Sequence, residues 1–323
     1  MLYLNNSNIN EIGIDWDENI DVIEKSAKLL HQNKFVQPIK PYLRYGDMTN
    51  RIIAMPAYIG GDIEAAGIKW VASFPKNINK NIQRAHSVLI LNEANTGVPI
   101  AIFNSGLLSG IRTAAVSGLM IKYFLKNRSL EKINIGIIGW GQIGKLHFQM
   151  VTNLLKEKID NIFLFDLRKI DLNDIDTTWK NQIKICESWQ DTYLETDIFM
   201  TCTVSKERYV DKAPKKGALL LNISLRDFQP EIYNHTKSIV VDDWSEVCRE
   251  NTDIEAMHLK YGLKKEDTKS IAEVVVEEAI ANFPVENAIM FNPMGMAIFD
   301  MSIANNYYKL AQEKRIGTTL EDY

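Results

Sequence analysis

Three glycines at a fixed spacing and a later acidic residue form the clearest candidate binding motif of the chain. Gly139, Gly141 and Gly144 follow an apolar run and precede an amphipathic stretch, and Asp166 ends the next apolar run. Glycines at this spacing let the backbone approach a pyrophosphate at the positive end of a helix, and an acid about 20 residues on can bind the adenosine ribose. The alternative is a tight strand–helix turn that binds no ligand. The predicted pyrophosphate contacts are Gly139, Gly141, Gln142, Ile143 and Gly144.

The identity of the dinucleotide depends on the acidic residue. The carboxylate of Asp166 would bind a free ribose and repel a 2′-phosphate, which favours NAD over NADP. Arg168, two residues further on, favours the opposite choice. The predicted cofactor is NAD.

Three basic residues of the first half are surrounded by apolar neighbours. They are Arg51, Lys69 and Arg112, in the runs Arg-Ile-Ile-Ala-Met, Gly-Ile-Lys-Trp-Val and Gly-Ile-Arg-Thr-Ala-Ala. Burying a cation is unfavourable unless an anion meets it, and a substrate carboxylate is one such anion. The alternative is that each reaches solvent or pairs with an acid of the protein. The pattern indicates a candidate site for a small carboxylate substrate.

Alternating strands and helices from Ile133 onward must position the glycine motif. Candidate strands cover 133–138, 161–165, 183–186, 197–201, 218–222 and 238–241. This rhythm predicts a parallel, doubly wound sheet, which binds ligands at the carboxyl ends of its strands. The predicted cofactor-lining residues at these ends are Thr201, Thr203, Asn222 and Ser224, with ordinary strand-end capping as the alternative.

The first part of the chain has a different organisation. Residues 17–31 read as an amphipathic helix, several short strands follow, and residues 107–126 read as a long helix. A further helical stretch is predicted from Asn292 through Gln312. The predicted fold is α/β, with a Rossmann-type doubly wound parallel sheet domain over 128–289. It is inserted in a mixed α+β domain formed by 1–127 and 290–323.

Composition excludes several classes of protein. The 323 residues are 46% hydrophobic and 24% charged, as in an ordinary soluble globular protein, and the net charge of −4 offers no basic stripe for nucleic acid. No apolar run approaches the roughly 18 residues of a membrane span, and no secretory signal begins the chain. Three scattered cysteines suit reduced thiols, and the histidines lack metal-ligand spacing. We therefore expect a cytoplasmic protein with no metal site and no membrane or nucleic-acid partner.

Several stretches resemble the ornithine cyclodeaminase/mu-crystallin family. They are Gly67–Trp70, Leu91–Ala101, Arg112–Ala115 and the glycine motif with Asp166. The resemblance implies that Arg51, Lys69 and Arg112 face the substrate or the nicotinamide end of the cofactor, so Arg112 is also a cofactor-binding candidate. It also implies that Asn292 and Gly295 lie near the nicotinamide, that the mixed domain binds substrate, and that the protein is a homodimer.

One loop departs from the cyclodeaminases of this family. Their Gly-x-Asp-x-Pro-Gly loop is replaced here by Asn222–Phe228. Asp227 lies about two positions from the place of their catalytic aspartate, and it joins Lys69 as a candidate catalytic residue. The departure argues against ammonia elimination and ring closure of ornithine.

Five longer stretches resemble one subgroup of the family. They are Phe35–Arg44, Arg51–Pro56, Val240–Ser245, Asn292–Ile298 and Ile316–Leu320. This resemblance implies NAD-dependent oxidation of the secondary amine N-(2-amino-2-carboxyethyl)-L-glutamate, followed by imine hydrolysis to 2-oxoglutarate and L-2,3-diaminopropionate for siderophore or related biosynthesis. The alternatives are another amino or imino acid dehydrogenase, a cyclodeaminase, or a crystallin-like binding protein without catalysis.

Overall fold

The computed structural model of the chain describes residues 1–171, 173 and 175–321. They divide into two compact units, one formed by Met1–Ala115 with the segment from Gly295 and the other by Val116–Met294. The first boundary falls inside a long helix, earlier than the predicted boundary at residue 127. The second falls at Met294, later than the predicted boundary at residue 289.

The first unit is built on a mixed sheet of eight strands. Its strands are β1 (Leu2–Asn5), β2 (Phe35–Val36), β3 (Tyr42–Leu43), β4 (Arg51–Ile59), β5 (Ala65–Ser73), β6 (Ala85–Asn92), β7 (Pro99–Asn104) and β16 (Thr318–Thr319). Their order is β16-β1-β7-β6-β5-β4-β2, with β3 also paired to β4. Only β1 and β7 run parallel; the other pairs are antiparallel.

Among the described residues, four α-helices belong wholly or partly to this unit. They are α1 (Asn6–Ile12), α2 (Trp16–His31), the start of α3 (Gly106–Asn127) and α9 (Ala297–Lys314). The α2 helix begins where the Asp15 side chain accepts a hydrogen bond from the Glu18 backbone, and it buries Ile20, Ile23 and Ala27. The α9 helix packs against α2, β4 and β5. The predicted helix over 17–31 is therefore confirmed.

The two faces of the central antiparallel strands differ. On β4, residues 53, 55, 57 and 59 are buried, whereas the residues between them are partly or fully exposed. The exposed face carries apolar side chains, including Ile52, Tyr58, Ile68, Trp70 and Ile90. Successive side chains of a strand point to opposite faces, so one face packs on the core and the other is an apolar surface.

The second unit is a parallel sheet with connecting helices. Its strands are β8 (Ile133–Ile138), β9 (Ile159–Phe165), β10 (Ile183–Ile185), β11 (Ile198–Thr201), β12 (Leu219–Leu221), β13 (Ser238–Val241), β14 (Thr268–Ser270) and β15 (Ile289–Asn292). Its helices are the rest of α3, α4 (Gln142–Leu155), α5 (Trp189–Tyr193), α6 (Trp244–Val247), α7 (Asp253–Tyr261) and α8 (Ile271–Val276).

The strand order of this sheet is β10-β9-β8-β11-β12-β15-β13-β14, and every pair is parallel. The chain therefore runs outward from β8 in one direction and then returns to build the other half, which confirms the predicted doubly wound sheet. One element prediction is wrong. The stretch from Asn292 was predicted to open a helix, but Ile289–Asn292 is a buried strand between β12 and β13, and α9 begins only at Ala297.

Candidate functional site

A buried ion cluster lies in the first unit and joins two of the three predicted cations. Lys69, in the middle of β5, places its Nζ 3.0 Å from Oδ1 of Asp300, and Nε of Arg112, on α3, lies 2.8 Å from the same oxygen. All three side chains are buried. Lys69 and Arg112 therefore pair with an acid of the protein, which was the alternative to binding a substrate carboxylate. That acid is Asp300, which was not predicted from the sequence.

The charges of this cluster are unevenly satisfied. Oδ1 of Asp300 meets two cations, whereas Oδ2 is buried and has no hydrogen-bond partner among the described residues. Burial raises the pKa of Asp300, but the charges of Arg112 and Lys69 outweigh it and hold that pKa below its usual value. The carboxylate is therefore ionised, and it neutralises only part of the positive charge around it.

The surroundings of Lys69 alter its pKa. The pKa of Lys69 is lowered to about 8, chiefly by burial and also by the charges of Arg112 and Lys40, while the charge of Asp300 opposes the shift. An amine with such a pKa exchanges protons near neutral pH. The arrangement can therefore supply either a fixed positive charge or a base.

Lys40 and Gly295 complete the surroundings of the cluster. The Nζ of Lys40 donates to the carbonyl oxygen of Gly295 at 2.9 Å. A Cβ atom on Gly295 would lie 3.0 Å from Nη1 of Arg112, so this residue is adjacent to the guanidinium group. Gly295, predicted near the nicotinamide, belongs to the first unit, whereas Asn292, three residues earlier, belongs to the second.

Arg51 lies apart from this cluster. It opens β4 opposite Ser73, and its guanidinium carbon lies 5.9 Å from the centre of the Tyr42 ring. Its Nε is buried without a hydrogen-bond partner among the described residues. Arg51 is therefore the predicted cation that keeps an unsatisfied donor.

The glycine turn of the second unit connects β8 to α4. Gly139 has φ +95°, and a Cβ atom there would lie 2.5 Å from the Cys202 carbonyl oxygen. A Cβ atom on Gly144 would lie 1.9 Å from the carbonyl oxygen of Gly139. Both positions therefore require glycine for a close backbone approach, as the motif predicts.

The start of α4 is open. Gly141 caps the helix without any side-chain hydrogen bond, and apart from its two chain neighbours no described residue has a heavy atom within 4 Å of a Cβ atom placed there. The backbone N–H groups that follow, from Gln142 and Ile143, belong to the positive end of the helix. This end fits the pyrophosphate of a dinucleotide, with Gly141 leaving the space that the phosphates would need.

Asp166 follows β9 and lies against the glycine turn. Its Oδ2 accepts from the backbone N–H of Trp140 at 2.7 Å, and its Oδ1 accepts from the backbone N–H of Arg168 at 2.8 Å. A carboxylate offers about four acceptor positions, so further hydrogen bonds from a ribose remain available. The Arg168 side chain is largely exposed, with its Nε 3.5 Å from Asp166.

The predicted strand-end residues form two buried hydrogen-bond groups. In one, Thr201 donates to Oδ1 of Asn222 at 3.3 Å, and Nδ2 of Asn222 donates to Oδ1 of Asn292 at 2.8 Å. These residues end β11, follow β12 and end β15, which are adjacent strands. Because all three are fully buried and bonded to one another, they hold the three strand ends in register.

The second group surrounds Asp227. The hydroxyl groups of Thr203 and Ser224 both donate to its carboxylate. Burial raises the pKa of Asp227 to about 6, with help from the charge of Asp253, while the Thr203 hydroxyl opposes the shift. Asp227 can therefore hold or release a proton near neutral pH, and its partners are two residues predicted to line the cofactor.

A buried acid that the sequence reasoning missed fixes this loop. Asp253, at the start of α7, accepts from the backbone N–H groups of Asp227 and Phe228 and from Nδ2 of Asn222. Nε of Arg208 lies 2.6 Å from its other oxygen. Nothing in the sequence around Asp253 marked it, because Thr252-Asp253 reads as an ordinary helix start.

No group of His, Cys, Asp or Glu side chains in the described ranges is arranged to hold a metal ion. Within the same ranges, no helix is long and apolar enough to cross a membrane. The three cysteines are free thiols.

Comparison with known proteins gives consistent similarities. A sequence model of the ornithine cyclodeaminase/mu-crystallin family matches residues 5–315. A Staphylococcus aureus protein named N-((2S)-2-amino-2-carboxyethyl)-L-glutamate dehydrogenase is 34% identical over 336 residues, which cover 100% of this chain and 99% of that protein.

Two solved structures resemble the whole chain. Thermococcus litoralis Δ(1)-pyrroline-2-carboxylate reductase, in complex with NADH and L-proline, has a TM-score of 0.88 at 23% identity and covers 99% of this chain and 100% of its own. An archaeal alanine dehydrogenase dimer with bound NAD has a TM-score of 0.83 at 23% identity, covering 100% and 99%. These similarities confirm the predicted fold class.

Proposed function

This chain belongs to the ornithine cyclodeaminase/mu-crystallin family, and from that premise we propose that it is an NAD-dependent dehydrogenase of a secondary amine. The proposed substrate is N-(2-amino-2-carboxyethyl)-L-glutamate. Its glutamate α-carbon loses a hydride and its amine a proton, which gives an imine. Water adds to the imine, and the C–N bond of the resulting carbinolamine breaks to give 2-oxoglutarate and L-2,3-diaminopropionate.

The observation that carries this proposal is the similarity to the Staphylococcus aureus dehydrogenase. It extends over the whole of this chain and nearly the whole of that protein, at 34% identity. The replacement of the cyclodeaminase loop by Asn222–Phe228 supports the same choice, because a cyclodeaminase would be expected to keep it. We propose that the product L-2,3-diaminopropionate enters siderophore or related biosynthesis in the cytoplasm.

The ion cluster of the first unit supports a carboxylate-rich substrate. A substrate with three carboxylates must be oriented by several fixed cations before its α-carbon can react. Arg112 and Lys69 are held in place by Asp300, and Arg51 offers an unsatisfied donor. We assign substrate binding to Arg51, Lys69 and Arg112, with Arg112 also contacting the cofactor.

Two groups are candidates for moving protons. Lys69 has a pKa lowered to about 8, so near neutral pH a fraction of it is a free amine that can take the proton of the substrate amine. Asp227 has a pKa raised to about 6 and can take a proton from the water that attacks the imine. We assign these two catalytic roles as part of the proposal.

The glycine turn supports NAD as the cofactor. Gly139, Gly141, Gln142, Ile143 and Gly144 would hold its pyrophosphate, and Asp166 would bind its ribose and disfavour a 2′-phosphate. Thr203 and Ser224, beyond the strand ends, and Gly295 would line its remaining surface, and the buried residues Thr201, Asn222 and Asn292 would hold those strand ends in place. Bound NAD would supply the hydride acceptor.

The apolar outer face of the first unit supports a homodimer. Trp70 is 44% exposed and Tyr58 36% exposed, and further aliphatic side chains lie between them on the same face. Contiguous apolar surface of this kind marks interaction sites in soluble proteins. We propose that two copies of the chain associate through this face of the sheet.

The proposed function is tested by incubating the protein with NAD and N-(2-amino-2-carboxyethyl)-L-glutamate, with alanine, proline and ornithine as parallel substrates. NADH formation is followed by absorbance, and the products are identified by mass. NADH together with 2-oxoglutarate and 2,3-diaminopropionate is the expected result. Turnover of only one of the parallel substrates would identify that compound as the substrate instead. NADH binding without turnover of any of them would indicate a binding protein without catalysis.

A further inference from the structure

Two arginines converge at one end of three neighbouring strands in the first unit. Arg51 is the first residue of β4 and pairs with Ser73, the last residue of β5. Arg84 immediately precedes β6, and its Nη1 donates to the Ser73 hydroxyl at 3.0 Å. The Arg84 guanidinium group therefore contacts Ser73, the residue directly across from Arg51, and burial together with the charge of Arg51 lowers the pKa of Arg84.

This arginine pair differs from the Lys69 and Arg112 cluster in its lack of a counter-charge. Asp300 bridges Lys69 and Arg112. No carboxylate of the described residues lies within 4.0 Å of a guanidinium nitrogen of Arg51 or Arg84. The Nε of Arg51 is in addition buried and unpartnered.

Two partly buried guanidinium groups close together are unfavourable without an anion. Their mutual repulsion and the loss of water from their N–H groups both raise the free energy of the folded state. A carboxylate relieves both costs at once, since two guanidinium groups offer paired donors that match its two oxygens. The Tyr42 ring beside Arg51 restricts the guanidinium group further by a cation–π contact.

The position of the pair relative to Lys69 fits a long substrate. Lys69 and Ser73 are both on β5 and point to the same face, separated by four residues, or roughly 13 Å along the strand at about 3.3 Å per residue. Arg51 lies opposite Ser73 on this same face, and lysine and arginine side chains both reach well beyond their own backbone positions. A single substrate carrying carboxylates at its two ends can therefore contact both groups.

We propose that Arg51 and Arg84 form a second carboxylate site, which binds the distal carboxylate of a dicarboxylic amino-acid substrate and so determines its specificity. Arg84 is the new member of this site. The inference rests on the proposed function, because the glutamate half of the substrate provides that distal carboxylate. Monocarboxylic amino acids such as alanine and proline have no group for this site.

The test compares two substrates in two variants. The first substrate is N-(2-amino-2-carboxyethyl)-L-glutamate, and the second is its norvaline analogue, in which a methyl group replaces the distal carboxylate. Arg84→Met is expected to lower kcat/KM for the glutamate substrate about 100-fold, mainly through KM, because a charge-assisted paired hydrogen bond is lost. The norvaline analogue is expected to change less than about threefold, because it makes no such bond.

Two controls separate this effect from damage to the fold. Lys80→Met removes an exposed cation from the same connection between β5 and β6 and is expected to leave both substrates unaffected. Arg84→Lys keeps the charge but not the paired donors, and an intermediate loss confined to the glutamate substrate supports the site. Equal losses with both substrates in Arg84→Met and Arg84→Lys would overturn it while leaving the proposed reaction intact.

A binding measurement keeps the inference testable if the wild-type protein turns over neither substrate, which would refute the proposed function. Calorimetric titration with 2-oxoglutarate and with 2-oxopentanoate compares the same two end groups without catalysis. The expected result is tighter binding of 2-oxoglutarate by the wild type and equal binding of both in Arg84→Met. Equal binding of both by the wild type would overturn the carboxylate site.

Discussion

The carboxylate of Asp300 is shared by two cations, and its charge limits how far burial lowers the pKa of Lys69. The two contacts of 3.0 Å and 2.8 Å converge on one oxygen. Without the contact between Lys69 and Asp300, burial would lower the pKa of Lys69 further. Asp300 is therefore a positioning residue for both Lys69 and Arg112.

Replacing Lys69 by methionine should lower kcat for the proposed substrate by at least about 1,000-fold, because both the charge and the candidate base are lost. NAD binding should be unchanged, since the glycine turn is not altered. Steady-state kinetics and fluorescence titration of NADH measure the two effects. Lys28→Met, an exposed lysine of the same unit, serves as the control, and a near-normal rate in Lys69→Met would remove Lys69 from the mechanism.

Replacing Asp300 by asparagine should shift the pH dependence of kcat. The charge of Asp300 raises the pKa of Lys69, so its removal lowers that pKa below the present value of about 8. If neutral Lys69 is the active form, the rising limb of the profile moves to lower pH, by at least about one unit for loss of an opposite charge in contact. A purely structural role would reduce stability without moving the midpoint, so an unmoved midpoint contradicts this role.

The residues of the cluster were only partly predictable from the sequence. Lys69 and Arg112 were marked by their apolar neighbours, and Asp300 carries the same mark, between Phe299 and Met301. The sequence could not show that these residues meet, because Asp300 is 231 positions from Lys69. Arg84 lies in the polar connection between β5 and β6, where a basic residue is expected on the surface and does not indicate a binding site.

At the scale of elements, the glycine turn joins a strand, a helix and the loop after β11 by backbone contacts. Gly144 lies against the Gly139 carbonyl, and Gly139 lies against Cys202. By contrast, Gly141 faces open space. The three glycines of one motif therefore have different structural roles.

This difference predicts opposite outcomes for two alanine variants. Gly144→Ala should destabilise the fold by about 1–3 kcal/mol or more, because its Cβ would meet backbone that cannot give way. Gly141→Ala should melt like the wild type and bind NADH more weakly, because its methyl group enters only the open space at the helix start. Thermal melts and NADH titration distinguish them. Normal NADH affinity in Gly141→Ala would contradict the predicted pyrophosphate site.

The strands and helices of both units were largely predictable because most follow strong periodic patterns. The predicted strand over 133–138 is matched by β8, and the predicted helix over 107–126 by α3. The error at Asn292 has a physical origin. The four residues of β15 are too few to show a periodic pattern in the sequence. They form a strand because they pair with β12 on one side and with β13 on the other.

At the scale of the whole molecule, the outer face of the first unit leaves apolar side chains such as Trp70 and Tyr58 exposed in the single chain. Charge on this face should prevent the proposed association, because a buried unpaired carboxylate is unfavourable. In sedimentation equilibrium, Trp70→Asp is therefore expected to have a mass near the 36.9 kDa of one chain, and the wild type a mass twice as large. Leu259→Asp, an exposed leucine on α7, should remain dimeric, and a monomeric wild type would refute the homodimer.

In the proposed reaction, the C–H bond at the glutamate α-carbon of the substrate breaks and its hydrogen passes to NAD as a hydride. The most direct measurement uses N-(2-amino-2-carboxyethyl)-L-glutamate deuterated at that carbon, with mass analysis of the NADH formed. We expect one deuterium in NADH and none in 2-oxoglutarate or 2,3-diaminopropionate. Unlabelled NADH, or NADH labelled only when the deuterium is in the diaminopropionate half, would contradict it.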